Sequence, residues 1–141
     1  MHAIERALAF ALQVHEGQTD RAGLPYILHP LYLMMQVETE MEKLAAILHD
    51  TIEDSERTLA DIEALEMPAV VVRAVALLTH DRANVPYLDY VRRLRPDPIA
   101  RRVKLADLQH NMDIRRLPEV TEQDLARFVN YRQAWEILTH Q

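Results

Sequence analysis

The residues best suited to chemistry form a dense group in the first half of the chain. His49 and Asp50 close an apolar run, LAAILHD, and Glu53 and Asp54 follow almost at once. If the helix continues past this run, Glu53 lies one turn beyond His49, and Asp54 lies one turn beyond Asp50. Imidazole and carboxylate groups are common ligands of divalent metal ions. The segment is therefore a candidate metal site, although one His and one Asp hold an ion poorly.

Two further ligands are available elsewhere in the chain. His29 ends the loop that contains both glycines, and Asp107 lies in the segment VKLADLQHNM. With His49 and Asp50, they would form a mixed imidazole and carboxylate site that leaves coordination positions open for water and substrate. The sequence thus predicts a metal site with ligands His29, His49, Asp50 and Asp107.

Asp107 has polar neighbours at helical spacing. Lys104 precedes it by three residues and Asn111 follows it by four, so the three side chains share one helix face. A metal ligand, a cation that balances phosphoryl charge and an amide that positions water or a ribose hydroxyl are what a phosphate-handling site requires. We therefore assign Lys104 and Asn111 to substrate binding.

The elements that position these residues are predicted to be helices. Only two glycines occur, Gly17 and Gly23, so tight hairpins would lack their usual turn residues. Apolar spacing, caps and prolines predict seven or eight helices: residues 3–16, 30–37, one with Met41, Leu44, Ala45 and Leu48 on its buried stripe, 58–66, one that starts at Pro68, 86–94, 98–112, and a last one with the apolar stripe Leu125, Phe128, Val129, Trp135 and Leu138.

Two segments need separate interpretation. AVVVRAVALL, after Pro68, is rich in β-branched residues and could form a strand, but its unbroken length and the preceding proline favour a buried helix. The segment 17–30 holds both glycines and two prolines together with apolar residues, which indicates an ordered loop. The predicted fold is a compact all-α bundle.

Composition narrows the classes of protein. The 141 residues are 49% hydrophobic and 27% charged, which is typical of one globular domain over residues 1–141. The absence of cysteine excludes disulfides, thiolate metal sites and cysteine nucleophiles. A net charge of −6 argues against a binder of duplex nucleic acid. The apolar stretch 7–12 is too short for a membrane span, and we expect a cytoplasmic protein without a membrane partner.

Three motifs, in this order, resemble the HD-superfamily hydrolase domain of RelA/SpoT-type proteins and their small stand-alone relatives. They are HEGQTDRAGLPYILHP, LAAILHDTIEDSERTLADI and VKLADLQHNM, and the resemblance extends to about Leu117. It implies an all-helical HD-type bundle with a manganese ion at His29, His49, Asp50 and Asp107. It also implies catalytic acids at Glu53 and Asp54, and removal of pyrophosphate from the 3′ position of a guanosine polyphosphate (ppGpp), the alarmone of the stringent response. The chain is too short for the synthetase domain of bifunctional members.

The chain departs from the family pattern around the nucleotide. The departures are Asp20 and Ala22 in the glycine loop, His80 after the fifth helix, and Asp113-Ile114 after Asn111-Met112. Because of these changes, the identity of the substrate stays open. The alternatives to a ppGpp hydrolase are an HD hydrolase of another nucleotide or phosphate ester, and an HD domain that binds a nucleotide without turnover.

The expected mechanism follows from the charges. A divalent ion lowers the pKa of a water and polarises a phosphoryl oxygen, while Glu53 or Asp54 transfers the proton. Lys104 and Arg21 would offset the charge that develops on the phosphoryl group. Spacing alone leaves open which of the two acids is the base.

The remaining histidines are assigned no chemistry. We interpret His2, His15, His110 and His140 as surface or core residues, and His80-Asp81 as a helix end followed by a surface loop. The partner expected from the motifs is a small phosphorylated nucleotide. Self-association through the last helix, using Tyr131, Trp135 and Leu138, stays open.

Overall fold

The structure is a computed structural model that describes residues 1–140, where the chain forms eight α-helices and one short 3-10 helix. The helices are α1 (Ala3–Val14), α2 (Leu28–Gln36), α3 (Glu40–Leu48), α4 (Leu59–Glu63), α5 (Ala69–Leu78), α6 (Tyr87–Leu94), α7 (Pro98–Asn111) and α8 (Glu122–Thr139), with the 3-10 helix at Ile114–Arg116 between the last two. The all-α prediction is confirmed. Gln141, the last residue of the expected domain, lies outside the described residues. None of the helices within residues 1–140 is long and apolar enough to cross a membrane.

Polar caps fix where the helices begin. Four helices start with a capping box, in which the side chains of two residues three apart satisfy each other's backbone N–H groups. The pairs are His2 with Glu5, Thr39 with Glu42, Thr58 with Asp61, and Thr121 with Asp124. Asp97 caps α7 by accepting a hydrogen bond from the Ala100 N–H at 2.9 Å. The sequence had already indicated the box at Thr58.

Helix α3 lies at the centre of the bundle. It packs against α1, α2, α5 and α7, and all five of its last residues, 44–48, are fully buried. Helix α7 also packs against α2, α5 and α8. Because α3 ends beside α7, the residues that follow Leu48 are brought to the buried face that carries Asp107.

The structure confirms the helical interpretation of AVVVRAVALL. Its buried residues are Val71, Ala74, Val75 and Leu78, which recur at helical spacing. Burial on one helix face thus overrides the β-propensity of the valines. Several predicted ends shift by one to three residues: α1 ends at Val14 rather than 16, and α4 ends at Glu63 rather than 66.

One local prediction is corrected, and one possibility that the sequence left open is decided. Helix α2 begins at Leu28 rather than Pro30, so His29 lies in the first turn of a helix and not at the end of a loop. Helix α3 does not continue through Asp54, because residues after Leu48 form successive tight turns. One cause is Thr51, whose hydroxyl donates to the Leu48 carbonyl at 2.8 Å and offers the backbone an alternative to the next helical hydrogen bond.

The apolar stripe predicted for α8 is partly wrong. Leu125 and Val129 are 55% and 59% exposed, whereas Leu138 is 3% exposed. The face that packs inward is set by contacts with α6 and α7, and at the start of α8 it carries the polar residue Asp124 rather than Leu125. Tyr131 and Trp135 pack against the core. This face is therefore used within the fold, and self-association stays a prediction that needs another surface.

The two leucines on α8 provide a test of this orientation. We expect Leu138→Ala to lower the free energy of unfolding by about 2–5 kcal/mol, because it removes buried methyl groups and leaves a cavity. The matched Leu125→Ala change should stay within about 0.5 kcal/mol, as surface substitutions usually do. Urea unfolding measures both values. Equal losses for the two variants would contradict the observed orientation.

Candidate metal centre and active site

Four side chains, from α2, from the turn that follows α3 and from α7, meet at the predicted metal site. Ligand atoms of His29, His49 and Asp50 all lie within 4.8 Å of one another. Asp107 joins them from α7, with its Oδ1 at 2.8 Å from His29 Nε2 and 3.7 Å from His49 Nε2. Asp50 Oδ2 is 3.1 Å from His49 Nε2. The structure therefore brings together all four residues that the sequence had proposed as ligands.

The orientation of His49 fits a metal ligand. The ring is buried, and its Nδ1 lies 2.7 Å from the Ala46 carbonyl oxygen, to which only an N–H can donate. Its Nε2 therefore faces the carboxylates of Asp50 and Asp107, and it is buried without a hydrogen-bond partner in good geometry. Burial alone would lower the pKa of His49, but the attraction of Asp50 and Asp107 raises the pKa to about 10. A cation is favoured at this point, and a divalent ion would replace the proton.

His110 orients His29. The Nδ1 atoms of the two rings are 2.7 Å apart, and the His110 ring is stacked between His29 and Tyr32, with centroids 5.0 Å and 3.9 Å away. Burial, together with the neighbouring His29, lowers the pKa of His110 to about 4. A neutral His110 can accept from His29 Nδ1–H, which leaves His29 Nε2 available to a metal. The sequence pattern assigns His110 no chemistry, although its position three residues after Asp107 places it near the site.

Asp107 is held by three neighbours besides His49. Oδ2 accepts from Lys104 Nζ at 2.9 Å, and Oδ1 accepts from Asn111 Nδ2 at 3.0 Å and lies 2.8 Å from His29 Nε2. Burial raises the pKa of a carboxyl group, yet Lys104 and these hydrogen bonds hold the pKa of Asp107 well below its usual range. Lys104 and Asn111 line the cleft, and both already contact Asp107, so their assignment to substrate binding stays a prediction.

Lys104 is itself buried, at 8% exposure, in an aromatic environment. Its ammonium group lies 5.4 Å from the Tyr87 ring centroid and 5.2 Å from that of Tyr90. Burial would lower its pKa, but Asp107 raises it well above the usual value. The charge on Lys104 is therefore kept, and it balances one of the two carboxylates at the centre.

Tyr26 is a site residue that the sequence reasoning treated only as apolar. Its hydroxyl donates to Asp50 Oδ2. Burial and the nearby Asp50 raise the pKa of Tyr26, so the phenol stays protonated. The pKa of Asp50 is lowered in spite of burial, chiefly by His49. Tyr26, which lies on the glycine loop, thus fixes one oxygen of the candidate ligand Asp50. No spacing in the sequence indicated this contact.

Glu53 and Asp54 lie beside the centre in different surroundings. Glu53 Oε1 accepts from the His80 N–H at 2.9 Å, and Oε2 accepts from Arg82 at 2.5 Å. The Asp54 side chain is 64% exposed, and its Oδ1 lies 3.5 Å from the same arginine. Both acids line the cleft.

The segment after α5 is therefore more than a surface loop. His80 is half-buried, stacks on Tyr90 at 4.5 Å and directs its backbone N–H at Glu53. Its Nε2 lies 2.7 Å from the Val85 carbonyl oxygen. The sequence missed Arg82 because nothing in the local pattern links it to Glu53.

Two adjoining cavities form the cleft. One of about 560 Å³ is lined by the candidate metal ligands His49, Asp50 and Asp107 together with both acids. The other, of about 360 Å³, is bounded by the glycine loop, the 3-10 helix and α8. They share the lining residues Arg21, Tyr26, Asn111, Arg127 and Tyr131. The cleft is thus acidic and metal-competent at one end and carries arginines where the two cavities meet.

The departures from the family pattern have structural roles here. Asp20 Oδ1 accepts from the N–H groups of Ala22 and Leu24, both at 2.9 Å, and so closes the turn of the glycine loop. Asp113 caps the 3-10 helix by accepting from the Arg115 N–H at 3.1 Å. These acids are committed to local turns.

Comparison with known proteins agrees with this geometry. The mouse guanosine-3′,5′-bis(diphosphate) 3′-pyrophosphohydrolase MESH1 is 36% identical over 119 residues, which cover 75% of this chain and 65% of the mouse protein. The bifunctional (p)ppGpp synthase/hydrolase SpoT of Escherichia coli K12 is 33% identical over 122 residues, or 77% of this chain. Over about three quarters of its length, this chain resembles the hydrolase domain of RelA/SpoT proteins. No model of a known protein family matches it.

The fold of the chain matches a solved structure of a metazoan SpoT orthologue that hydrolyses ppGpp. The TM-score is 0.78, with 22% identity, and the match covers 99% of this chain and 87% of the other. At that identity the likeness establishes the fold alone. The chain spans only 17% of the length of the E. coli protein and 10% of a similar enzyme of Vibrio cholerae.

Metal binding should release a proton from this centre. Because the pKa of His49 is raised to about 10, its Nε2 is protonated in the metal-free protein at neutral pH. We expect about one proton to leave per ion bound at pH 7–8, and the apparent affinity to fall roughly tenfold per pH unit as the pH drops below 10. Calorimetric titration with manganese in buffers of different ionisation enthalpy measures this release. Binding without proton release would contradict the role of His49 as a ligand.

Proposed function

We propose that this chain is a manganese-dependent pyrophosphohydrolase that removes pyrophosphate from the 3′ position of ppGpp. The observation that carries the proposal is the buried, unpartnered Nε2 of His49, which faces two carboxylates at the base of a nucleotide-sized cleft. The names of MESH1 and SpoT supply the substrate class. Residues 1–141 would form one hydrolase domain, acting in the cytoplasm as part of the stringent response.

The donor set fits a hard or borderline divalent ion. His29, His49, Asp50 and Asp107 offer two imidazole nitrogens and carboxylate oxygens, a mixture that suits manganese. When bound, the ion supplies Lewis-acid polarisation of a phosphoryl oxygen and a lowered pKa for the attacking water. The hydrogen bonds from Tyr26 to Asp50 and from Asn111 to Asp107 keep the carboxylate ligands oriented.

Asp54 is better suited than Glu53 to move the proton. Both oxygens of Glu53 already accept hydrogen bonds, from His80 and Arg82. Asp54 is solvent-exposed in the cleft and has only a longer contact to Arg82, so a carboxylate oxygen remains for a water. Glu53 would orient Arg82 and the loop around it, and Asp54 would act as the general base.

The polar residues of the cleft have two roles, charge balance at the metal centre and contact with the substrate. Lys104 balances Asp107 and keeps the centre from accumulating negative charge next to an anionic substrate. Arg21, half-exposed on the glycine loop, and Asn111 reach both cavities and would contact the phosphates and the sugar.

Amide substitutions separate metal binding from proton transfer. Asp54→Asn should lower kcat by about a hundredfold to ten-thousandfold, as expected for loss of a general base, with bound manganese unchanged. Glu53→Gln should also lower kcat and keep the metal. Asp107→Asn should lose metal and activity together, and a higher manganese concentration should restore part of the rate. Metal analysis and steady-state kinetics measure both properties.

The metal content decides between the roles of these acids. If Glu53→Gln and Asp54→Asn lose manganese as readily as Asp107→Asn, the two acids are ligands and not proton carriers. If both keep full activity, neither acid takes part in the reaction.

The second candidate is an HD hydrolase of another nucleotide or phosphate ester. It is favoured by the glycine loop, where Asp20 pairs with Arg116 at 3.7 Å and closes its own turn. In the family that the chain resembles, the position of Asp20 holds a positively charged residue that contacts the nucleotide base.

A nucleotide panel distinguishes the candidates. With manganese present, we expect ppGpp to be hydrolysed to a 5′-diphosphate product and pyrophosphate, and nucleotides without a 3′-phosphate to be poor substrates. Phosphate and pyrophosphate release, with chromatography of the products, measures this selectivity. Preferred hydrolysis of a different phosphate ester would support the second candidate. Tight binding of a nucleotide without turnover in any divalent metal would instead indicate a binding domain.

A further inference from the structure

Asp124 is a buried carboxylate to which neither the metal centre nor the proposed reaction assigns a role. It lies in the first turn of α8 and is 2% exposed. Its Oδ2 accepts from the Thr121 N–H and the Thr121 hydroxyl, both at 2.9 Å, which completes the capping box. Its Oδ1 takes no part in the cap.

The second oxygen of Asp124 holds two arginines. Oδ1 accepts from Arg21 of the glycine loop and from Arg127 one turn along α8. The two guanidinium groups share this one carboxylate oxygen, and without its negative charge they would repel each other. Together with Asp124 they carry a net charge of +1, and both arginines line the two cavities where these meet.

A second capping box in the same chain shows that the cap does not require arginines. Thr58 and Asp61 at the start of α4 repeat the Thr-x-x-Asp pattern, with Asp61 Oδ2 accepting from the Thr58 N–H at 2.8 Å. Among residues 1–140, no salt bridge involves Asp61, and Asp61 lines neither cavity of the cleft. The two arginines on Asp124 are therefore an addition to the cap.

We propose that Asp124 is a positioning residue that holds Arg21 and Arg127 as a clamp for a second phosphate group of the substrate. The clamp lies at the junction of the cavities, beyond the acidic metal end. A nucleotide with phosphate groups at both ends of its sugar would present one to the metal and the other to the arginines. Arginine pairs of this kind suit the geometry of phosphate oxygens. The inference rests on the proposed function, because it assigns the clamp to the same substrate.

The clamp acts on binding and not on the chemical step. Asp124→Asn keeps an oxygen that can accept the helix cap but removes the charge that gathers the arginines. We expect KM for ppGpp to rise about tenfold and kcat to stay within a factor of two. The dissociation constant of ppGpp, measured by calorimetry without turnover in metal-free protein, should rise by a similar factor.

Two further variants separate positioning from folding. Asp61→Asn makes the same change in the matched capping box, and we expect KM and the dissociation constant to be unchanged. Asp124→Glu keeps the charge and is a common residue at this capping position, so we expect a rise of only about threefold in KM. If Asp124→Asn does not fold, as judged by thermal unfolding, Asp124→Glu takes its place as the test. A KM equal to that of the wild type would then overturn the clamp.

A double variant tests whether Asp124 acts on the substrate through the arginines. Arg21→Gln should raise KM in the wild-type background and have little further effect when combined with Asp124→Asn. Additive effects of the two changes, or an unchanged KM in the Asp124 variants, would overturn the clamp.

The outcomes also distinguish this inference from the proposed function. If the wild-type protein binds ppGpp without hydrolysing it, and Asp124→Asn weakens that binding, the clamp is supported and the proposed activity fails. If the protein hydrolyses ppGpp and the Asp124 variants behave like wild type, the activity is supported and the clamp fails. Absence of both binding and turnover overturns both.

Discussion

Charge balance around Asp107 is the constraint on which the rest of the site depends. This buried carboxylate lies beside His29 of α2 and His49 after α3, and it accepts hydrogen bonds from Lys104 and Asn111 of its own helix α7. An ionised carboxylate without such partners would be costly inside a protein. These partner side chains must therefore all be in place in the folded chain, and their contacts with Asp107 hold α2, the end of α3 and α7 together at one point. The same point collects the imidazole nitrogens and carboxylate oxygens that make a metal centre.

The hydrogen bonds behind the candidate ligands determine what the centre can bind. His49 and His29 each use Nδ1 toward a fixed partner, the Ala46 carbonyl and His110, and so direct Nε2 inward. Tautomer selection of this kind is typical of metal-ligating histidines. In the metal-free protein a proton on His49 occupies the position between the carboxylates, because Asp50 and Asp107 raise the pKa of the imidazole.

The charged groups of the cleft differ between its parts. The carboxylates lie at the metal end, where Lys104 and Arg82 pair with three of them, and Arg21 and Arg127 lie where the cavities meet. A small substrate with two separated phosphate groups matches this distribution better than a neutral ligand would. Asp124 connects the two elements that carry the arginines, since Arg21 comes from the glycine loop and Arg127 from α8.

Local chemistry explains how much of the fold could be predicted from sequence. Capping pairs, prolines and apolar spacing act over a few residues, so they indicated the helices and the approximate position of each end. They failed where long-range packing decides. Leu125 and Val129 follow the spacing of a buried stripe, yet α8 is rotated so that Asp124 faces inward, and only its contacts with α6 and α7 determine that rotation.

The sequence by itself determined the candidate ligand residues, because motif order and residue type identified His29, His49, Asp50 and Asp107 before any coordinates. Only the tertiary structure decided what surrounds them. Tyr26 on Asp50, Arg82 on Glu53 and Arg21 on Asp124 join residues 24, 29 and 103 positions apart. No periodicity reports such pairs, because they depend on how whole helices and loops pack. The chemistry of the ligands is thus local in sequence, whereas their orientation, charge and access to substrate are properties of the folded chain.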